Sequence, residues 1–295
     1  MFAKKNMNII SEKYINPFTD FGFKKLFGTE VNKDLLMDFL NELIHGKGKI
    51  TEVKYLNAEQ LGRNEYDRKA VFDIYCESDT GEKFIVEMQK SKHNFFKDRS
   101  VFYASFPIRE QAVQGNWDYQ LKAVYTIGIL DFVFNENRAD GNYYHSEVKL
   151  MDTKKKTVFY DKLTFIYLEM PKFNKTIEQL ETHFDKWMYV LKHLSKMQEL
   201  PLKLQEKIFE KICHVAEIAK MNKAEIAEYE NSLKVYRDWY SVLTTAKEEG
   251  RKEGREERKM EDKIEIALKM IKDGMSIDVV SKYTGLSIEQ INYCK

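Results

Sequence analysis

Two acidic residues stand in apolar surroundings: Asp73 in VFDIYC and Glu87 in FIVEMQ, with Gln89 two residues past Glu87. Clustered carboxylate oxygens are hard ligands suited to Mg²⁺, and metal-assisted phosphodiester cleavage also needs a group that positions or activates the attacking water. Side chains two apart on a strand share a face, so Asp73 is expected beside Val71 and Tyr75. By the same rule Glu87 and Gln89 lie together, opposite Val86 and Met88. If the two strands pair, the carboxylates converge across the hairpin. A carboxylate in so apolar a strand is costly to bury without a compensating charge, and a cation held between two acids supplies one. The competing reading is that each acid faces water or pairs with Lys or Arg at a sheet edge, as charged residues usually do.

Other residues could complete such a site. Glu42 lies at the margin of a helical apolar stripe and Asp38 farther round it, so either could add a third acid, with Glu42 better placed. Lys90, Lys92, Lys97 and Arg99, interleaved with His93, Phe95 and Phe96, could contact phosphates and bases; a solvated charged surface is the plainer reading. His93 could serve as a general base, although the sequence offers it no partner.

The elements that must hold these residues can be read from periodicity. Leu35, Leu36, Phe39, Leu40, Leu43 and Ile44 mark an amphipathic helix with Asn32 as its N-cap, ended by HGKGK; the preceding DFGFKKLFG is a short apolar turn or helix. Strands are expected at Ile50–Ala58, Ala70–Cys76 and Lys83–Gln89, the last two joined through Asp79 and Gly81 into a hairpin. Asn94–Gln114 fits a helix kinked or divided at Pro107. Leu121–Phe134 and Lys162–Leu168 read as further strands, the first of them buried.

From Thr176 the period becomes helical, with Ile177, Leu180, Phe184, Trp187, Met188 and Leu191 on one face and Leu204, Ile208, Ile212 and Val215 on another. Ala246–Asp262 is almost wholly charged and reads as an exposed helix or linker. Three short helices end the chain, punctuated by Gly274 and Gly285 and by the capping-box spelling Ser287-Ile-Glu-Gln290, in a helix-turn-helix-like tail. That tail could enter a DNA groove, but its last helix offers Lys295 as its single cation, so packing or protein contact competes.

Composition bounds the rest. The 295 residues are 43% hydrophobic with only four prolines and 13 glycines, which argues for a packed core over disorder. The net charge of +1 provides no whole-molecule attraction for nucleic acid, so DNA binding would depend on local patches. The longest apolar run, Ala123–Leu130, falls well short of the roughly 20 residues that cross a bilayer. The start, MFAKKNMNIISEKY, has no signal-like apolar stretch, and the cytoplasm is the expected location. Cys76, Cys213 and Cys294 lie too far apart for a zinc motif and are expected to be reduced. No Walker loop, zinc finger, nucleophilic Ser or Cys arrangement, or Rossmann fingerprint occurs.

Taken in order, NPFTDFGFKKLFG, LLMDFLNELI, the D…G…IVEMQ hairpin, FFKDRSVFYAS and the charged stretch leading to ALKMIKDGMSIDVVSKYTGLSIEQI resemble the PD-(D/E)XK nuclease superfamily, and within it the recombination-promoting nuclease and transposase group. The resemblance spans most of the chain. It implies an α/β, restriction-endonuclease-like αβββαβ core over residues 14–175. A helical region (176–245), a charged helix or linker (246–263) and the helix-turn-helix-like tail (264–295) would follow as an α-helical extension. It also implies that Asp73 and Glu87 hold Mg²⁺ or Mn²⁺, that Asp73, Glu87 and Gln89 form the catalytic set, and that DNA is the substrate, in recombination or mobile-element movement. Gln89 stands where the superfamily usually has lysine; a neutral amide can exchange hydrogen bonds but cannot offset developing negative charge. Two further readings stay open: a DNA-binding or assembly protein that keeps the fold without activity, and a helical C-terminal half that joins copies of the chain.

Overall fold

Thr19 starts the first helix, its Oγ1 accepting the Gly22 N–H at 3.0 Å, and α1 (Asp20–Phe27) then buries Phe23, Leu26 and Phe27. These belong to a computed structural model that describes residues 12–44, 48–60, 70–91, 95–112, 118–134, 141 and 143–293. Helix α2 (Lys33–Leu43) turns Leu35, Leu36, Phe39, Leu40 and Leu43 inward, the stripe read from the sequence. Asn32 occupies the N-cap but does not cap; its amide donates to the Lys25 carbonyl at 2.9 Å and ties α2 to α1. The helix stops at Leu43, while His45–Lys47 of the expected terminator lie outside the described residues.

Strands β1 (Val53–Tyr55), β2 (Glu59–Gln60), β3 (Ala70–Val71), β4 (Ile74–Ser78) and β5 (Lys83–Gln89) precede α3 (Phe96–Glu110), and β6 (Val124–Leu130), β7 (His145–Asp152) and β8 (Thr157–Glu169) follow it. Six of them form one sheet in the order β1-β4-β5-β6-β8-β7, and β2 pairs with β3 apart from it. The β4–β5 hairpin is antiparallel, and β6 runs parallel to both β5 and β8. An α/β core with α3 crossing between parallel strands is the architecture that the sequence implied.

The two faces of β5 have different neighbours. Phe84, Val86 and Met88 join the large core built with α1, α2, α4 (His183–His193) and α5 (Lys207–Ala216), where Trp187 packs on Phe39 and Phe209 at ring separations of 5.4 Å. Ile85 belongs to the opposite layer, with Phe72, Tyr75 and Phe106 of the α3 side. Glu87 and Gln89 alternate onto that α3 layer too. Gly128 stands opposite Glu87 in the ladder, and a Cβ there would come within 3.1 Å of Tyr167 and 3.4 Å of Phe96. Its missing side chain lets the first turn of α3 lie close over the sheet.

Several expectations needed correction. The Ile50–Ala58 strand shrinks to β1, and the Ala70–Cys76 strand breaks at Phe72-Asp73. Strict alternation would separate Phe72 from Tyr75, yet their rings meet at 5.4 Å, because the break resets the face. Pro107 does not divide α3, which runs through it to Glu110. Coming in the last turn, it removes one helical hydrogen bond, and Pro107 and Phe106 are both buried in return. Strand β7 escapes the sequence pattern because it is an edge strand with a mixed sequence and no buried residue. It extends the Lys162–Leu168 strand into a long β7–β8 hairpin.

The chain divides into two compact units, Met1–Tyr236 and Arg237–Lys295, with the boundary inside α6 (Lys223–Lys272). The charged stretch from 246 to 263 is part of that helix and is exposed throughout. Within the second unit, α7 (Ile277–Thr284) and α8 (Ile288–Tyr293) pack Val280, Leu286 and Ile291 on Ala267. Gly285 takes the left-handed conformation at φ +70° that ends α7. Ser287 and Gln290 exchange the two capping-box bonds, at 2.8 and 3.1 Å. Lys295, with Cys294, lies outside the described residues.

Gly22 locks α1 in place: a Cβ there would meet the Asn16 carbonyl oxygen at 2.2 Å and Thr19 Oγ1 at 2.8 Å. Gly22→Ala should therefore cost about 1–3 kcal/mol in chemical denaturation, as overpacking does. Gly254→Ala, with open space around it, should add about 0.5–1 kcal/mol to its helix. A Gly22→Ala protein as stable as the wild type would contradict the packing described for α1.

Candidate metal centre

Asp73 sits in the break between β3 and β4, where the ladder to β5 would otherwise lapse. Its own N–H donates to Glu87 Oε1 at 3.1 Å, and its Oδ2 accepts the Met88 N–H at 2.8 Å. Side chains thus take over the cross-strand bonding for one step, and the same two bonds bring both carboxylates together. Ile74 pairs with Val86, so the next step along the hairpin brings Asp73 abreast of Glu87. The expected convergence of the two acids is present, but it comes from a broken strand and not from a regular one.

Glu87 is buried at 6% exposure. Its second oxygen, Oε2, accepts from Arg99 Nη2 at 3.2 Å, and the same nitrogen donates to Gln89 Oε1 at 2.7 Å. Arg99 reaches down from α3, its guanidinium carbon 5.6 Å from the Phe96 ring centre and 5.2 Å from that of Tyr103. About a third of its side chain (31%) stays exposed.

Burial is the main influence on both acids and raises both pKa values. For Asp73 the Met88 N–H opposes burial, the charge of Asp20 adds to it, and Lys24 and Arg99 oppose it. For Glu87 the neighbouring Asp73 charge adds to burial, and Arg99, the Asp73 N–H and Lys24 work against it. The pair therefore holds on to protons well above the ordinary carboxylate range. Two desolvated carboxylates that repel each other are a natural seat for a divalent cation, which would relieve both penalties at once.

The donor set fits Mg²⁺ or Mn²⁺ in kind, since Mg²⁺ is typically bound through one or two carboxylates with water and substrate phosphate completing its shell. Among the described residues no group of three or more His, Cys, Asp and Glu side chains is gathered closely enough to hold a metal alone. A protein contribution of two carboxylates is what Asp73 and Glu87 offer.

Asp38, one of the two candidates for a third acid, is engaged elsewhere. Asp38 Oδ1 accepts from Trp187 Nε1 at 2.7 Å and lies 2.6 Å from His183 Nε2, which turns it toward α4. Neither Asp38 nor Glu42 is among the charges that weigh most on the pair. Asp20 weighs on Asp73, and it stands in the first turn of α1, paired with Lys24 at 3.0 Å. Its signal in the sequence was the acid directly after a helix-capping Thr in TDFGFKK, a position read only as part of an apolar turn. Lys90 is partly buried with its ammonium 5.8 Å from the Tyr236 ring centre, and burial lowers its pKa. Lys97 lies over Phe134 at 4.8 Å. Phe95 is 74% exposed, whereas Phe96 is core. Lys92 and His93 lie outside the described residues.

Comparison with known proteins gives two family matches. The model described as PD-(D/E)XK nuclease family transposase matches residues 17–246. The one described as Rpn/YhgA-like nuclease family, C-terminal HTH domain, matches residues 261–294. No curated protein and no solved structure gives a significant match.

The raised pKa of the pair fixes the sign of a pH effect. A carboxyl that binds its proton more tightly folded than unfolded stabilises the fold at low pH, and loses that contribution as pH climbs from the ordinary carboxylate range through the raised value. In the presence of chelator, Asp73→Asn should therefore melt progressively higher than wild type as pH rises through that window. Its amide oxygen can still accept the Met88 N–H. A melting difference that is flat in pH, or of opposite sign, would refute the electrostatics described for the pair.

Proposed function

From a chain that belongs to the PD-(D/E)XK nuclease family transposases, with a buried and a half-buried carboxylate paired at the hairpin, we propose a Mg²⁺- or Mn²⁺-dependent endonuclease that hydrolyses phosphodiester bonds of DNA. The observation that carries this reading is the pair of bonds from the Asp73 N–H to Glu87 and from the Met88 N–H to Asp73, which holds two repelling acids at one point. Asp73 and Glu87 hold the cation, and Asp20 adds negative charge from α1. When bound, the cation would supply charge neutralisation for the pentavalent transition state and would lower the pKa of the attacking water so that it gives up its proton as it attacks phosphorus. Gln89, with its Oε1 held by Arg99, turns its amide nitrogen to orient that water or the scissile phosphate. Lys90 and Lys97 flank the site as contacts for neighbouring phosphates.

The C-terminal unit is proposed to add DNA affinity. Its α8 carries Asn292, a side chain able to read base edges, although that helix contains no cation to neutralise phosphates. Copies of the chain are proposed to associate through the second unit, where Val242 and Leu243 are 70% and 46% exposed. We place the reaction in the cytoplasm; among the described residues no helix is long and apolar enough to cross a membrane. A role in recombination or mobile-element movement is the biological extension of this activity.

Arg99 already pairs with Glu87 at 3.2 Å, and that observation favours a second reading, a DNA-binding or assembly protein that keeps the fold without cutting. Nicking of supercoiled plasmid separates the two. The enzyme should nick with Mg²⁺ or Mn²⁺, stop with chelator, and lose activity in Asp73→Ala and in Glu87→Ala without unfolding. Plasmid left intact by the wild type in every metal would leave the binding protein. Light scattering tests association: Val242→Glu combined with Leu243→Glu should reduce the mass in solution, and an unchanged mass would remove that surface from consideration.

A further inference from the structure

A nuclease of this design needs positive charge at the scissile phosphate, and Gln89 cannot provide it. Arg99 can. It projects into the site from α3, and its Nη2 spends both hydrogens inside the site, one on Gln89 and one on Glu87. The bond to neutral Gln89 is the shorter, 2.7 Å against 3.2 Å. A guanidinium present merely to cancel Glu87 would be expected to draw closer to the carboxylate. Here the tighter hold comes from an acceptor without charge, which fixes the position of the cation and leaves that charge available. Nη1 and Nε remain as donors on a side chain still 31% exposed, each able to give a phosphate oxygen a charge-assisted hydrogen bond. The rings of Phe96 and Tyr103 confine the guanidinium from its flanks.

Resting on the nuclease reading above, we propose that Arg99 is the catalytic cation of this site and that Gln89 is its positioning residue. Arg99 meets the scissile phosphate through Nη1 or Nε while Nη2 stays on Gln89. When Glu87 turns to a divalent cation, the longer bond is given up and the shorter one is kept. A lysine at position 89 would repel Arg99, so a neutral acceptor there and an arginine on α3 form one consistent solution. Lys90, the nearest rival, forms no hydrogen bond with Asp73 or Glu87 and lies against Tyr236.

The test uses the full chain with Arg99→Gln, Arg99→Lys and the double variant Arg99→Gln/Gln89→Lys. Three readouts are taken: plasmid nicking, calorimetric Mn²⁺ binding, and anisotropy of a labelled duplex in Ca²⁺. Arg99→Gln should lose about 10²–10³-fold in nicking rate, as when one transition-state donor is removed. It should bind Mn²⁺ at least as tightly as wild type, since a competing positive charge has gone, and should bind the duplex more weakly. Arg99→Lys should fall in between. The double variant, which returns a cation to position 89, should regain about tenfold or more of the lost rate. Nicking by Arg99→Gln within about threefold of wild type overturns the proposal while leaving the nuclease intact. Loss of Mn²⁺ binding together with a lower melting temperature in Arg99→Gln also overturns it, because Arg99 would then be a structural counter-ion. Absence of nicking by the wild type fells the nuclease reading itself, a result distinct from either.

Discussion

Everything at this site depends on one exchange: the Asp73 N–H bonded to the Glu87 carboxylate and the Met88 N–H bonded to the Asp73 carboxylate. An antiparallel ladder normally satisfies its backbone groups with backbone partners. At this step it uses two acidic side chains instead, and burial then makes their proximity costly. Such a cost persists where surrounding structure enforces it. Here the enforcement comes from the buried β4–β5–β6 centre of the sheet below and from α3 above, which Gly128 allows to approach. The same layer delivers Arg99, so the counter-charge and the acids it serves are positioned by one packing arrangement.

The fold was legible where periodicity is strong. The α2 stripe, the limits of β5, the buried run of β6 and the Ser287–Gln290 capping box could all be read from local pattern, because each element alone buries a continuous apolar set or closes a local hydrogen bond. Strand β7 could not, since an exposed edge leaves no burial pattern to detect. Pro107 misled for a related reason: its local preference is to end a helix, and tertiary burial of Phe106 and Pro107 prevailed.

The site was legible in its acids and less so in its surround. Asp73 and Glu87 announced themselves as charges in apolar strands, a mismatch that sequence exposes directly. Gln89 announced a departure, but its meaning lay in the α3 residue it holds, and Arg99 first appeared as one basic residue in a cluster of four. Spacing cannot say which member of such a cluster points inward. Asp38 illustrates the converse: helical geometry made it a candidate ligand, and a distant histidine and tryptophan claimed it. Asp20 was hidden by its setting in a segment that read as apolar.

The central claim is that a buried and a half-buried carboxylate, both proton-retaining, form a seat for a divalent cation. Proton linkage of metal binding tests it most directly, because ligands must lose their protons to bind. Titrating Mn²⁺ calorimetrically in buffers of differing ionisation enthalpy counts the protons released. Release should accompany binding near neutral pH, diminish as pH rises beyond the raised range of the pair, and vanish in Asp73→Asn. Mn²⁺ binding with no proton exchange at any pH, or no saturable binding at all, would contradict it.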